Sequence, residues 1–516
     1  MIENQDNYSL IRMHGLGDVL REHSRSRPNM TAVVDGDYRF SWPAFDYRVN
    51  QTANAFMSKG VGEGGRVLWL AQNSFRLLEL ILASAKIGAM VCPVNWRQSP
   101  TEMADVIDDF KPNIVFWQQA DVGAVFEEAK SLAKHSCDWI RHDELDGSSE
   151  YEAFIADMPT EDIKQDIHPD SPVVAMYTAA FDGKPNAALL SQSAVINQSL
   201  MIAYGNWVTD KSNYLNSGPM FHLGTMMSTF ATFCFGGKNV FTPRVDAQEM
   251  LHLIETEKIT HAFVVQPTIE QIRKINADGK YDVSSLWSAP DAPEYLGPMV
   301  MPVDAPFNKE PRVYGQTEVM GFVTMGWLGG GGAGRTSPLA QVKIVDNNGE
   351  EVPTGETGEI VVRGSQVMSG YLNRPAENQR RSEFQWYRTH DLGKRLDDGS
   401  IAFVGPKTVM VKSGVENIYP AEVENCLREI SAVKDVCIIG VPDPKWSQNV
   451  KAIIVVEEGQ NVTEEGIIAH CKARLASYKK PKIVVFAEAL PRRGDGMLDR
   501  QKADELYGGG GYPYTA

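Results

Sequence analysis

An α/β fold with a compact α+β unit at its C-terminal end is what this sequence predicts, on three observations. Segments with strand and helix patterns alternate from about residue 14 to 160, and such alternation implies a largely parallel sheet covered by helices. The chain has 516 residues, 43% of them apolar. That is several times the roughly 150 residues of one domain, so two to four folding units with large cores are expected. A second compact pattern begins near residue 410, beyond a glycine-rich stretch.

In order, Gly15 to Ser26 reads as a helix stopped by Pro28, and Thr31 to Val34 as a short strand. Trp42 to Lys59 is helical with Gly60 as its stop, followed by the strand Arg66 to Leu70. Phe75 to Gly88 is again helix, leading into the apolar run Ala89 to Val94. Val173 to Met176 and Glu359 to Arg363 read as strands. Gly315 to Thr357 is glycine-rich, with four in a row at Gly329 to Gly332. Two readings are open for it: loops that bring backbone close to a ligand, or a flexible connector. The last unit has a helix at Pro420 to Ile430, strands at Val436 to Gly440 and Lys451 to Val456, and a helix at Glu464 to Leu475. Gly508 to Ala516, rich in Gly and Tyr, reads as a flexible tail.

The net charge of −16 argues against nucleic acid or an anionic membrane as partner. The longest apolar candidate, Leu77 to Met90, is broken by Glu79 and Lys86, so no membrane span is expected. The N-terminus lacks a basic-then-apolar signal pattern. Cys92, Cys137, Cys234, Cys426, Cys437 and Cys471 are scattered, with no C-x-x-C pair and no metal-ligand spacing. Buried thiols in a reducing cytoplasm are expected, and no protein-bound metal cluster.

Seven short segments stand out. They are Tyr177 to Ala187 (YTAAFDGKPNA), Pro219 to Gly224 (PMFHLG), Tyr314 to Glu318 (YGQTE), Gly355 to Ile360 (GETGEI), Gly370 to Pro375 (GYLNRP), Tyr387 to Gly393 (YRTHDLG) and Lys412 to Glu422 (KSGVENIYPAE). In this order and spacing they resemble the adenylate-forming superfamily of acyl-CoA synthetases, luciferases and peptide-synthetase adenylation domains, nearest its acyl-CoA ligase branch. The resemblance spans about residues 15 to 505. It implies a large N-terminal domain, 1–405, of two α/β subdomains plus a β-barrel-like subdomain. A hinge at 406–409, a small mobile α+β domain at 410–507 and the tail at 508–516 complete the expected division. It also implies a two-step reaction: a carboxylate attacks MgATP to give an acyl-adenylate, then the small domain swings and CoA displaces AMP.

Measured against that resemblance, the adenylation half is dismantled. The family's phosphate loop, close to T-S-G-T-T-G-x-P-K-G, cradles the outer phosphates with hydroxyls and backbone N–H groups. Here Ala179, Ala180, Phe181 and Asp182 replace its small and hydroxyl residues, and Asn186 replaces its lysine. A carboxylate facing a triphosphate repels it, by about 1 kcal/mol at 4 Å in water and more in a lower dielectric. The family's catalytic lysine falls on Met497, within Pro491 to Met497 (PRRGDGM). Loss of one preorganised donor of this kind lowers a rate roughly 10² to 10³-fold, and no other catalytic residue is assigned. At the hinge, Gly405 to Val409 (GPKTV) places Pro406 and Thr408 where the family has an arginine and a charged residue. Proline fixes one backbone dihedral, which favours one domain orientation.

The thioester-forming half is largely intact by the same resemblance. Tyr314 matches the aromatic that stacks on adenine, with Gly315 and Gln316 in the same motif. Thr317 matches the hydroxyl that reaches the α-phosphate, Glu318 the glutamate associated with magnesium, and Asp391 the aspartate that holds the ribose hydroxyls. His390 stands where the family has glycine. Ser413, Gly414, Val415, Glu416 and Asn417 match the loop lining the CoA tunnel. His222 matches a histidine beside the acyl pocket that gates CoA entry, with Phe221 beside it. Met226 and Met227 read as pocket wall or as plain core. Lys479, Lys480 and Lys482 read as a solvated charge run rather than a grip on CoA phosphates.

The residues implied are those of a ligase that takes a preformed acyl-adenylate from a separate adenylating enzyme and passes the acyl group to CoA. AMP is held as part of that adenylate, and the need for Mg²⁺ is left open. This pattern is similar to the non-adenylating ligases of platensimycin- and platencin-type diterpenoid assembly. Trp207, Phe221 and the methionines point to a bulky apolar acid, a diterpenoid acid among the candidates. Two other readings stay open: a complete ATP-dependent synthetase with displaced groups such as Lys184 or Arg493, and an inactive scaffold that binds nucleotide or CoA.

Overall fold

The computed structural model describes residues 12–145, 147–163, 165–178, 185–286, 299–301, 313–407, 409–414, 416–492 and 498–510. Two six-stranded sheets organise its N-terminal part on one plan, five parallel strands closed at one edge by an antiparallel strand. The first sheet runs Asp138–Arg141, Ile114–Trp117, Arg66–Leu70, Met90–Pro93, Pro172–Thr178, Asn186–Ser191. The second runs Met299–Met301, His261–Val265, Asn213–Asn216, Lys238–Phe241, Thr31–Asp35, Tyr38–Ser41. Each antiparallel edge strand is a hairpin return of its neighbour, as the short connections require.

The helix Phe75–Ile87 accounts for most of the apolar run Leu77 to Met90. All thirteen of its residues are buried, and a helix apolar all round belongs inside a protein. Its two charges are paired there. Glu79 accepts from Arg48 (2.9 Å), Thr52 (2.8 Å) and Tyr151 (2.6 Å). Lys86 donates to Asp46 (2.7 Å), Asn50 (2.6 Å) and Asp162 (2.9 Å). Ser74 caps its start and Gly88, left-handed, ends it. No helix among the described residues is long and apolar enough to cross a membrane.

The barrel-like piece is two antiparallel sheets. Val313–Gln316, Gly321–Met325 and Arg335–Thr336 form one; Ala340–Val345, Thr357–Gly364, Tyr387–Arg395 and Ile401–Pro406 form the other as a meander. The glycine run Gly329 to Gly332 is held against a neighbouring turn, which a loose connector would not be. Gly331 N donates to Asp398 (2.9 Å), and a Cβ on Gly330 would lie 2.6 Å from Ser400 Cβ. The close approach that selects glycine there is to the turn before Ile401.

A fifth sheet shares no strand pairing with the others among the described residues. It comprises Glu416–Ile418, Val411–Ser413, Ser447–Val456, Val433–Asp443 and Ile483–Phe486, covered by the helices Pro420–Arg428, Glu464–Arg474 and Arg500–Leu506. The tail is anchored further than its composition suggests, because Gly510 N donates to Gly440 O (3.1 Å) within the long Val433–Asp443 strand. Residues 511–516 lie outside the described set.

Candidate active site

The hairpin Val313–Gln316/Gly321–Met325 carries the Tyr314 to Glu318 motif, with Thr317 opening the tight turn between its strands. Gly315 is obligatory, since a Cβ there would sit 1.7 Å from Gly321 O. Gln316 stitches this hairpin to the strand Tyr387–Arg395. Its Nε2 donates to Thr389 O (3.0 Å) and Asp391 Oδ2 (2.6 Å), and its Oε1 accepts from Tyr387 (3.1 Å). Tyr314 donates to the same Asp391 oxygen (2.9 Å), and its ring stacks on Phe403 at 5.4 Å. Motifs 75 residues apart in the chain thus share one carboxylate. Burial pushes the Asp391 carboxyl up to about 7, against the pull of Gln316 and Tyr314.

Glu318 is buried and accepts from Tyr371 (2.9 Å). The Arg381 guanidinium, fixed by Glu377 (2.7 Å) and Arg388 O (2.9 Å), acts electrostatically on Glu318, Tyr371 and Asp391. Mg²⁺ is usually held by one or two carboxylates plus phosphate oxygens. Glu318 would be the residue to hold it here, although one of its oxygens already serves Tyr371.

His390 adopts φ +58°, the left-handed conformation that explains a glycine at this position in the resembled family. Burial and Arg381 lower its imidazole to about 4, so the ring is neutral beside Asp391. A left-handed non-glycine residue is disfavoured by about 1–2 kcal/mol, partly offset by the greater freedom of glycine in the unfolded chain. His390→Gly is therefore expected to raise stability by up to about 1 kcal/mol, read as a shift in the denaturation midpoint.

At the phosphate loop, Ala179, Ala180, Phe181, Asp182 and Lys184 lie outside the described residues, as do Arg493 and Met497. The root of the loop is described, where Thr178 pairs with Asn186 across an antiparallel ladder. Asn186 Oδ1 accepts from Arg374 Nε (2.9 Å). Arg374 in turn grips both oxygens of Asp109 (2.9 and 3.1 Å), and Tyr177 donates to that carboxylate (2.8 Å). A bidentate pair of this kind uses the guanidinium's charge locally. The sequence assigned Arg374 no role, though it lies inside the GYLNRP segment.

The small unit is docked on this region. Ser413 and Glu416 close a tight hairpin with Gly414 at φ +60°, and Asn417 accepts from Lys412 Nζ (2.7 Å). Val415 lies outside the described residues. Glu416 reaches His222 Nε2 (3.3 Å) and Arg97 (3.8 Å). Arg97 lies over the rings of Trp96 (5.0 Å) and Phe221 (5.8 Å). Trp96 and Arg97 belong to no motif, and their position became visible only with the fold. Pro406 ends an edge strand in register with Asp391, where its missing N–H is tolerated. Lys407 N donates to His390 O (2.8 Å) and its Nζ to Glu359 (3.1 Å); Thr408 lies outside the described residues.

Lys479 is no solvated charge: it is 5% exposed and donates to Glu102 of the large part (2.7 Å) and Glu422 of the small unit (2.6 Å). Burial opposes its charge, and the two carboxylates more than restore it. Trp207 is no buried pocket wall: it is 70% exposed at the C-cap of the helix Gln192–Asn206. Tertiary packing turns that helix end outward, which its apolar composition could not tell. Met226 and Met227 are buried in the helix Leu223–Phe235, whose N-cap is His222.

The chain matches the AMP-binding enzyme family over residues 20–372 and the AMP-binding enzyme C-terminal domain over 422–496. Among curated relatives, the indoleacetate–CoA ligase of Aromatoleum aromaticum is 29% identical, covering 95% of this chain and 98% of that protein. The long-chain-fatty-acid–CoA ligase of Mycobacterium tuberculosis is 28% identical, covering 96% and 99%. Among solved structures, o-succinylbenzoate CoA synthetase from Bacillus subtilis superposes with a TM-score of 0.78 at 22% identity, covering 94% of this chain and 98% of that one. At that identity the likeness bears on the fold alone.

Proposed function

The chain belongs to the AMP-binding enzyme family and is an acyl-CoA ligase, and from that premise we propose that it performs only the thioester-forming half of the ligase reaction. It would accept a preformed acyl-adenylate of a bulky, largely apolar acid from a separate adenylating enzyme, and transfer the acyl group to CoA. The observation that carries this reading is the root of the phosphate loop. Where a lysine is expected, Asn186 is tied to Arg374, whose charge is spent on Asp109. Neither residue offers an uncompensated cation to a triphosphate, and the loop sequence beyond adds Asp182.

The retained parts fit the second step. Asp391 would accept both ribose hydroxyls, Tyr314 would stack on adenine, and Thr317 would face the α-phosphate. The contact of Glu416 with His222 supports the reading that the docked hairpin carrying Ser413, Gly414, Glu416 and Asn417 lines the CoA tunnel. The thiolate of CoA attacks the acyl carbonyl carbon and forms the C–S bond. The C–O bond to the phosphate then breaks, AMP leaves with the electron pair, and the thiol proton goes to solvent. Catalysis is mainly positional.

The test supplies purified protein with CoA and polycyclic, aromatic and fatty acyl-adenylates, then repeats with free acids plus MgATP. Acyl-CoA is expected from adenylates and not from acid with ATP. Comparable product from acid and ATP would overturn the proposal in favour of a complete synthetase. Nucleotide binding without any product would favour a scaffold.

A further inference from the structure

Cys426 lies on the helix Pro420–Arg428 and Cys471 on the helix Glu464–Arg474. Their thiols hydrogen-bond to each other inside the apolar core that also holds Val423, Leu427 and Ile467. His470 ties the same two helices, its Nε2 reaching Cys426 O (3.0 Å) and Glu429 (3.5 Å). Cys92, Cys137, Cys234 and Cys437 have no second thiol beside them among the described residues.

The two sulfurs differ. Cys426 is 6% exposed, whereas Cys471 has no exposed surface. The hydrogen bond from Cys471 lowers the Cys426 thiol, against burial and Glu429, and the Arg474 guanidinium adds to the lowering. The same bond, with burial, pushes the Cys471 thiol up. A lowered thiol that reaches solvent is the attacking sulfur of such a pair, and its buried neighbour the resolving one.

Both helices also carry contacts that dock the small unit. Glu422, one turn before Cys426, accepts from Lys479, which donates in turn to Glu102 of the large part. Arg474, in the last turn of the helix that carries Cys471, accepts at its carbonyl from Ser99 (2.7 Å).

We propose that Cys426 and Cys471 form an oxidation site, a dithiol that a hydroperoxide closes to a disulfide, and that closing it undocks the small unit from the large part. The proposal concerns the placing of the small unit and holds whichever half-reactions the chain performs. The Cys426 thiolate attacks one oxygen of hydrogen peroxide, the O–O bond breaks, and the departing hydroxide takes up the thiol proton as water. The Cys471 sulfur then attacks the Cys426 sulfenic acid. The S–S bond forms, the S–O bond breaks, and a second water leaves with the Cys471 proton. Two thiols have lost two electrons, and one peroxide has become two waters. A covalent bond draws the sulfurs closer than their hydrogen bond, so in a close-packed core one helix shifts against the other. That shift pulls Glu422 and Arg474 O out of register with Glu102 and Ser99.

The test treats the full reduced chain with hydrogen peroxide, alkylates the remaining thiols during denaturation and maps the peptides. A peptide linking Cys426 to Cys471, lighter by two hydrogen atoms, is expected, and dithiothreitol restores both thiols. In Cys471→Ser, Cys426 is expected to stop at the sulfenic acid, which dimedone traps. Acyl-CoA formation by the wild type is expected to fall about tenfold on oxidation and to recover on reduction, while in Cys426→Ser peroxide leaves it unchanged. Hydrogen exchange over the helix Pro100–Phe110, expected to quicken on oxidation, reads undocking even where no adenylate is turned over. Failure of the link to form, or its scrambling among the other four cysteines, would overturn the oxidation site. A fully linked protein with unchanged exchange would overturn the undocking.

Discussion

Lys479→Ala is expected to destabilise the protein by about 3 kcal/mol or more and to sharply reduce thioester formation. The lysine bridges Glu102 and Glu422, with all three side chains at most 11% exposed. Removing one partner of a buried ion pair leaves an uncompensated charge, at a cost of about 3–5 kcal/mol. Here two carboxylates are left together. Glu102 also closes the capping box of the helix Pro100–Phe110, and its Ser99 donates to Arg474 O across the same boundary (2.7 Å). Glu102→Gln separates docking from folding, because it leaves Lys479 paired with Glu422 inside the small unit. That variant is expected to lose thioester formation with a smaller loss of stability. Chemical denaturation of both variants alongside acyl-CoA yield reads the difference. Unchanged product formation in Glu102→Gln would refute a docking role for this contact.

Asp391→Ala is expected to lower kcat/KM for an acyl-adenylate by a factor on the order of 10². Two hydrogen bonds to a charged acceptor contribute roughly 1.5–3 kcal/mol each, and part of that remains with water. The pH dependence is a sharper test. Burial holds Asp391 at about 7 in the free protein, and only the carboxylate can accept from both ribose hydroxyls. Below pH 7 the group is protonated and must lose that proton to bind. Affinity for adenosine, which does not titrate near neutrality, should therefore rise up to about tenfold per pH unit towards pH 7 and level off above it. In Asp391→Asn the profile should be flat. A wild-type dependence that survives in the Asn variant would assign the titration to another group.

Much of this molecule is legible in its sequence because the signals are local. Strand and helix periodicity, Gly88 as a helix stop and Pro28 after a helix end all reflect nearest-neighbour sterics, and the structure places those elements within a few residues of expectation. Motifs declare themselves the same way. Gly315 is required by one close approach within its own hairpin, and His390 marks a left-handed position by replacing a glycine. The failures share a cause too. Lys479 looked solvated because its neighbours in sequence are lysines, while its partner Glu102 is 377 residues away. Trp207 looked like pocket wall because composition carries no direction.

By itself, then, the sequence determined that the chain is an α/β protein with a C-terminal α+β unit, that it carries the ordered motifs of adenylate-forming enzymes, and that its phosphate loop and lysine position depart from them. Periodicity and motif order are properties of contiguous residues, so no coordinates are needed to read them. Only the tertiary structure decided where charge is spent. It pairs Asn186 with Arg374 across 188 residues, seats Lys479 between two carboxylates from different units, and encloses Asp391 until its carboxyl titrates near 7. Those outcomes depend on distance and burial between segments far apart in the chain. Any of many carboxylates could have met any of many cations, and folding selects among them.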